Sequence, residues 1–192
     1  MKKDSLQVRA FSSPRLWRTW LEKNHVSSPG IWLRIYKAAS RRKSVTYDEA
    51  LDEALCFGWI DGQKNAFDQD SWIQRFTHRR PRSGWSQRNT QHVARLLAAG
   101  KMSSEGLREV EAAKQDGRWQ QAYAPAGQVK IPPDFLRALQ QNPQAKTFFR
   151  SLDKANTYAI AYRLQTAKRP ATRERRLQMI LAMLARGEKF HW

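Results

Sequence analysis

The strongest periodic pattern in the chain is a helical stripe that ends at a glycine. Thr46 followed three residues later by Glu49 is a capping-box pair, which is typical of the first turn of a helix. Gly58 can adopt the left-handed conformation that often ends a helix. The pattern therefore predicts a helix that begins at Thr46 and ends before Gly58. Its buried face would consist of the small and aliphatic residues Ala50, Leu51, Ala54 and Leu55.

Alternating apolar and polar positions predict three β-strands. Residues 31–37 alternate between an aliphatic face and a face that carries aromatic and basic side chains. Residues 59–67 and 72–77 flank a polar sequence at residues 68–71 that is typical of a turn. Asp61-Gly62 is an alternative hairpin turn, but it would leave the preceding strand too short to pair well. We therefore expect a small three-stranded antiparallel sheet with one face on the core and an aromatic, basic face opposite.

The remaining periodic stretches are helical. Helices are predicted to start at Ser13-Pro14, near Ser86, and at Ser103 or Ser104. Residues 123–133 contain three prolines and little apolar pattern, which predicts a linker. We expect an α+β fold, with an α+β domain at residues 1–125 and a small all-helical domain at residues 126–192. The helices of the second domain are predicted at residues 133–141, after 143, at 154–166 and at 170–186.

The composition is that of a basic globular protein. Among 192 residues, 41% are hydrophobic and eight are tryptophan, which is enough to build a folded core. Lys and Arg outnumber Asp and Glu by 35 to 17, which gives a formal charge of +18. An excess of this size indicates an anionic partner, such as nucleic acid, a phosphate-bearing molecule or an acidic membrane surface.

Two features of the sequence favour the cytoplasm. Cys56 is the single cysteine, so the chain cannot form an intramolecular disulfide. Asp4, Gln7 and Arg9 interrupt the apolar run that a signal peptide would need, and no other stretch approaches the length of a membrane span. We therefore expect a cytoplasmic protein without a transmembrane segment.

Two stretches without acidic residues concentrate the positive charge. Residues 29–47 carry five basic residues, and residues 71–104 carry seven. Arginine supplies forked donors for phosphate, and Trp72, Phe76 and Trp85 supply rings on which bases can stack. The pattern favours a site for single-stranded nucleic acid or a nucleotide. The alternative is that the tryptophans belong to the core and the arginines form a solvated face.

We place the ligand site on the aromatic, basic face of the hairpin and on the loop that follows it. The predicted ligand-binding residues are Trp59, Asp61, Lys64, Arg75, Arg79, Arg80, Arg82, Trp85 and Asn89.

Asp61 is the one candidate for a catalytic role, because it lies among bulky apolar residues at the start of a strand. A structural ion pair with Arg75 or Arg79 is one interpretation, and a functional carboxylate in a cleft is the other. In the second case the protein would be an enzyme for a small anionic substrate, with Asp61 as base and Arg75 or Arg79 as anion clamp.

No cofactor and no metal are predicted. Asp48, Glu49, Asp52 and Glu53 fall in the first turns of a helix, where acids complement the helix dipole. The four histidines show none of the paired spacings that zinc sites use. Cys56 is expected to be a buried structural thiol.

Several separated motifs resemble those of a known family. They lie at residues 54–64, 74–80, 83–86 with Asn89, 99–102, 116–119 and 167–176. In this order, and over nearly the whole chain, they resemble the YdeI/OmpD-associated family, whose members are also called bacteriocin-protection proteins. His78 stands where the family pattern usually has a proline.

The resemblance implies a role in stress or bacteriocin protection and supplies no accepted catalytic residues. With the charge pattern, it leads us to predict a non-enzymatic cytoplasmic binding protein for an anionic ligand, such as single-stranded nucleic acid. A third hypothesis is a protein-interaction adaptor that binds its partner through the C-terminal helices, which resemble the OmpD-associated region.

Overall fold

The computed structural model describes residues 6–124, 130–167 and 169–191. The chain divides into two compact units, Met1–Ala122 and Tyr123–Trp192. The predicted boundary between residues 125 and 126 lies outside the described residues. The middle of the predicted linker and the first five residues, where a signal peptide would begin, also lie outside them.

The first unit combines a sheet with helices, so the α+β class predicted from the sequence is confirmed. Its strands are β1 (Val8–Arg9), β2 (Ile31–Tyr36), β3 (Trp59–Ala66) and β4 (Ser71–His78). Its helices are α1 (Pro14–Asn24), α2 (Tyr47–Cys56), α3 (Gln87–Ala98) and α4 (Ser104–Gln115).

In the described residues the sheet has four strands and is mixed, so the predicted three-stranded antiparallel sheet was wrong in detail. The strand order is β1-β2-β4-β3. The predicted strands β2, β3 and β4 do pair antiparallel, but β1 runs parallel to β2, opposite Trp32 and Leu33. No alternation could predict β1, because it consists of two exposed residues.

One face of the sheet packs against the helices and forms the core of the unit. Trp17 of α1 is fully buried between the sheet and α2, and its indole Nε1 donates to the carbonyl oxygen of Ala50 over 3.0 Å. Its ring contacts those of Trp59 and Phe76, at centroid distances of 6.5 and 5.8 Å. These contacts fix the orientation of α1 and α2 over β3 and β4.

Local signals define both ends of α2. The Thr46 hydroxyl accepts from the backbone N–H of Glu49, and the Glu49 carboxylate accepts from the backbone N–H of Thr46, which confirms the capping box. Gly58 has a φ of +70° and reverses the chain after the helix, as predicted. The helix therefore starts at Tyr47, and β3 starts directly after the glycine.

The start of α4 packs on the end of α2 without space for a side chain. A Cβ atom at Gly106 would lie 2.2 Å from the carbonyl oxygen of Cys56. That oxygen accepts hydrogen bonds from the backbone N–H and the hydroxyl of Ser103, at 3.1 and 2.6 Å. The contact satisfies a carbonyl that the end of α2 would otherwise leave unpaired.

The described residues of the second unit contain four helices, which have their own core around Phe135, Ile160 and Ile180. Asn156 is buried and exchanges hydrogen bonds with the backbone of His191, which holds the end of the chain against the unit. The helices are α5 (Pro133–Gln140), α6 (Pro143–Arg150), α7 (Lys154–Gln165) and α8 (Pro170–Ala185).

Candidate functional site

The helix-bearing face of the sheet continues beyond the core into an open cleft. In the register of β3 and β4, Asp61 lies opposite Phe76 and Lys64 lies opposite Gln74. Because alternate strand residues share a face, these side chains and Trp72 lie on the same side of the sheet. Phe76 is fully buried, whereas Asp61 and Trp72 are partly exposed and Lys64 is exposed. The strand cleft, as we call it, has a volume of about 440 Å³ and is lined by Tyr47, Asp61, Gly62, Lys64, Trp72, Gln74 and Arg88.

A β-bulge shapes the floor of the strand cleft. The register shifts between Asp61 and Lys64, so that β3 has one more residue than β4 over this span. The side-chain amide of Gln74 donates to the carbonyl oxygens of Gly62 and Gln63, at 2.8 and 3.3 Å. Gln74 is itself buried, and these bonds pair the carbonyls that the bulge removes from the ladder. The extra residue thereby returns Lys64 to the face that carries Asp61.

A hydrogen bond between a helix and a strand sets one wall of the strand cleft. The phenolic hydroxyl of Tyr47 donates to Oδ2 of Asp61 over 2.8 Å. Burial and the negative charge of Asp61 raise the pKa of Tyr47 well above that of a free phenol. The hydroxyl therefore stays protonated at neutral pH and continues to donate to the carboxylate.

Aromatic rings and cations pack together around the strand cleft. The rings of Tyr47 and Trp72 lie 6.2 Å apart. The Lys64 ammonium lies 4.2 Å from the centroid of the Trp72 ring, and the Arg88 guanidinium lies 5.3 Å from that of Tyr47. Arg88 also forms an ion pair with Asp48. A cationic side chain thus lies over one face of each ring.

A second recess shares Tyr47 and Trp72 with the strand cleft. It has a volume of about 500 Å³, and its basic side chains are Lys37, Arg42 and Lys43. The loop cavity, as we call it, is formed by residues 12–14, 35–38, 40, 42–47, 49 and 72.

The loop cavity has a positive electrostatic environment. The N-terminal ends of α1 and α2 both open onto it, and the first turn of a helix carries a partial positive charge. Arg42 is exposed and lies 5.6 Å from the centroid of the Tyr36 ring. Glu49 is the one acid among the lining residues, and the backbone and hydroxyl of Thr46 both donate to its carboxylate. The arrangement can hold an anion beside an aromatic wall.

The predicted site residues do not all meet in one place. Asp61 and Lys64 line the strand cleft. Trp59 and Trp85 are buried in the core cluster, and Asn89 is buried on α3, so these three side chains are not exposed for stacking or hydrogen bonding to a ligand. For Trp85, the alternative interpretation as a core residue describes the structure better, whereas Trp72, to which it also applied, is partly exposed.

The loop 79–82 also separates into structural and exposed residues. Arg79 is buried, its guanidinium carbon lies 3.5 Å from the centroid of the Trp85 ring, and it donates to the Gly84 carbonyl over 3.3 Å. Arg80 and Arg82 are exposed. Arg79 therefore stabilises the loop, and the two exposed arginines remain free to contact a ligand in solution.

The structure gives Asp61 a different partner from the one considered in the sequence. Asp61 bonds with Tyr47, whereas Arg75 lies opposite Trp32 on the other face of β4, and Arg79 packs on Trp85. The enzyme hypothesis needs Asp61 as a base beside one of these arginines as an anion clamp. The fold does not bring these groups together in one cleft.

The other groups considered in the sequence have structural contacts. Asp52 accepts from Arg95 over 2.7 Å and contacts Nδ1 of His92 at 2.6 Å. Cys56 is fully buried, and this burial raises the pKa of its thiol to about 11. Within residues 6–124, 130–167 and 169–191 no group of three acids, histidines or cysteines could hold a metal, and no helix is long and apolar enough to cross a bilayer.

Sequence reasoning missed Tyr47 and Gln74 as site residues. The alternation of β4 could have found Gln74, because it lies two residues after Trp72 and so shares its face. Tyr47 had no local signal, since a tyrosine after a helix cap reaches Asp61 only once α2 packs beside β3. Trp72 and Arg88 were part of the basic, aromatic stretch but were not assigned to the site.

Two different family models match the two parts of the chain. Residues 9–109 match the model of a domain of unknown function (DUF8412). Residues 128–187 match the model of the family described as "Bacteriocin-protection, YdeI or OmpD-Associated", which confirms the suspected family for this region. The motifs at residues 54–102 had suggested the same family, but they fall within the first match. No curated protein and no solved structure matches the chain significantly.

Proposed function

The chain belongs to the DUF8412 family and ends in a YdeI/OmpD-associated region, and from the geometry of its first unit we propose that it binds single-stranded nucleic acid. The observation that carries the proposal is that the strand cleft and the loop cavity share the partly exposed rings of Tyr47 and Trp72. A strand that crosses both recesses would contact rings and cations alternately.

The loop cavity is the side of this surface that suits phosphate. Lys37, Arg42 and Lys43 supply three basic groups, and two helix N-termini add their partial positive charge. The one acid in the lining, Glu49, is already bound by Thr46. When these basic groups neutralise a phosphate, counterions are released from the nucleic acid. This release is the main source of sequence-independent affinity.

The strand cleft is the side that suits a base. A base has two apolar faces and a polar edge, and the cleft offers the rings of Tyr47 and Trp72 beside the polar groups of Asp61, Lys64 and Gln74. Stacking on aromatic side chains contributes about 1–3 kcal/mol per base. Bases in a duplex are already stacked and paired, so this surface fits an unpaired strand better.

The description of the C-terminal family includes bacteriocin protection, and we propose that nucleic-acid binding by the first unit serves such a protective role in the cytoplasm. The adaptor hypothesis for the C-terminal helices has less support, because their apolar groove of about 540 Å³ shows nothing about the partner that would cover it.

Fluorescence anisotropy with a labelled 12-nucleotide single strand tests the proposal. Affinity should fall steeply with salt, and the double variant Arg42→Ala/Lys43→Ala should bind roughly tenfold more weakly at low salt. Its log–log salt slope should be shallower by about 0.7 for each phosphate contact removed.

Lys23→Ala/Arg108→Ala is a matched control, since it removes two charges outside both recesses. Equal losses of affinity in the two double variants would show that binding depends on the net charge of the protein rather than on this surface. Absence of binding by the wild type at low salt would remove the proposed function.

A further inference from the structure

The strand cleft contains a carboxylate in a surface that is otherwise basic. Asp61 lines it together with Lys64 and Arg88. A phosphate group would be repelled by this carboxylate, so the cleft suits a different part of a nucleotide from the loop cavity. Carboxylates are acceptors only, so the ligand group that Asp61 binds must be an N–H or O–H donor.

One oxygen of Asp61 is held in place and keeps a second lone pair, and the other oxygen is available. Oδ2 accepts the hydrogen bond from Tyr47, and for Oδ1 the described residues supply no donor. Tyr47 is anchored in turn at the first position of α2, and Asp61 is anchored by the β3 ladder. The carboxylate is therefore preorganised to receive donors from inside the cleft.

The edges of the four bases differ in how well they match such a group. Guanine presents two adjacent donors, N1–H and N2–H, followed by the acceptor O6. Cytosine and adenine present one donor next to a ring acceptor, which would face the second carboxylate oxygen unfavourably. Thymine and uracil present one donor between two carbonyl oxygens. A carboxylate with an ammonium group nearby therefore matches the guanine edge best.

We propose that the strand cleft binds a guanine base, with Asp61 accepting from N1–H and N2–H and Lys64 donating to O6. The base stacks on Trp72 and takes the place of the Lys64 ammonium over that ring. Lys64 is exposed and has a flexible four-carbon stem, which lets the ammonium move to the base edge. This inference rests on the proposed function and deepens it, because it names the base that is preferred.

The test compares labelled 12-nucleotide strands by anisotropy at one salt concentration. An all-thymine strand is compared with strands that carry one guanine, one inosine or one 7-deazaguanine at the centre. Inosine lacks the N2 amino group, whereas 7-deazaguanine keeps the whole N1, N2 and O6 edge. The wild type should bind the guanine and 7-deazaguanine strands roughly tenfold more tightly than the thymine strand, and the inosine strand should lose most of this gain.

The variant Asp61→Asn assigns the preference to this carboxylate. The ratio of guanine to thymine affinities should fall to about one in Asp61→Asn and should persist in Asp70→Asn. The substitution Asp70→Asn makes the same chemical change at an exposed turn position outside both recesses. The inosine comparison uses the wild type alone, so recognition of the N2 amino group is tested even where Asp61→Asn folds poorly.

The outcomes separate the inference from the function on which it rests. Equal binding of the thymine and guanine strands by the wild type overturns the guanine assignment and leaves single-strand binding intact. A preference that survives in Asp61→Asn, or in the inosine strand, also overturns it. No binding of any strand removes both proposals.

A competition arm identifies the source of the guanine. GMP that displaces the labelled strand at concentrations where UMP does not would assign the cleft to guanine nucleotides generally. Displacement by guanine strands alone would assign it to bases within a strand, and either result supports the same chemistry.

Discussion

The hydroxyl of Tyr47 donates to Oδ2 of Asp61 over 2.8 Å, and this bond joins the first residue of α2 to the third residue of β3. The two residues are 14 positions apart, and the rest of α2 and its glycine turn lie between them. The bond therefore links the capping of a helix to the position of a carboxylate in the strand cleft. It is the contact on which the proposed base recognition depends.

Asp61→Asn is expected to change the free energy of unfolding by less than about 1 kcal/mol, because the amide oxygen can still accept from Tyr47. Tyr47→Phe should cost more, since it leaves the partly buried carboxylate without this donor. Urea melts of the two variants and the wild type measure both effects. A larger loss in Asp61→Asn than in Tyr47→Phe would assign Asp61 mainly to the stability of the fold.

Arg79 and Arg80 are neighbours in the sequence with opposite expected roles. Arg79→Ala should lower stability by roughly 1–3 kcal/mol, since it removes a buried guanidinium that packs on Trp85 and donates to the loop backbone. Arg80→Ala should change stability by less than about 0.5 kcal/mol, because the side chain is exposed. Thermal and urea unfolding distinguish the two, and equal stability would contradict the structural role of Arg79.

Gly106→Ala tests the contact between α4 and α2. The added Cβ atom would lie 2.2 Å from the carbonyl oxygen of Cys56, so the helices must move apart, and stability should fall by about 1–3 kcal/mol or more. Gly62→Ala is a control, since the Cβ atom added there would lie 3.8 Å from its nearest neighbour, Cβ of Arg75. Its stability should differ little from the wild type in the same urea melts. Similar losses in both variants would show that the close contact is not the cause.

Cys56 is expected to react slowly with a thiol reagent in the native protein. The side chain is fully buried, and burial raises its pKa to about 11, so little thiolate is present at pH 8. Labelling should accelerate strongly in urea. Rapid labelling in the folded state would mean that the thiol is exposed and activated.

The same pKa shift predicts how stability depends on alkaline pH. The thiol pKa is higher in the folded state than in the unfolded state. The contribution of Cys56 to the free energy of unfolding is therefore fully present below the ordinary thiol pKa and is lost as the pH rises through about 11. Cys56→Ala should therefore lose less stability than the wild type between pH 8 and 10.5. Parallel pH profiles of the two proteins in chemical denaturation would contradict this.

Local sequence signals predicted most of the fold, because each depends on a few neighbouring residues. The capping box of Thr46 and Glu49 and the turn at Gly58 set α2 in the structure as they do in the sequence. The parallel strand β1 was missed, since its two residues carry no period and its pairing depends on the rest of the sheet.

The candidate site could be predicted only in part, because contacts between residues that are distant in the sequence leave no local pattern. Asp61 and Lys64 were identified, but the arginine expected beside Asp61 lies on the opposite face, and the register of the sheet decides this. Arg79 and the exposed arginines had the same sequence signal. Only the packing of Trp85 distinguishes the buried residue from the others.

Nucleic-acid binding by the first unit can be tested by identifying the residues that a bound single strand contacts. A single strand that carries 5-bromouracil in place of thymine is irradiated in complex with the protein, and the crosslinked peptides are identified by mass spectrometry. We expect crosslinks at Tyr36, Tyr47 or Trp72, whose partly exposed rings form the walls of the two recesses. Crosslinks confined to residues 130–191 would contradict the assignment of binding to the first unit.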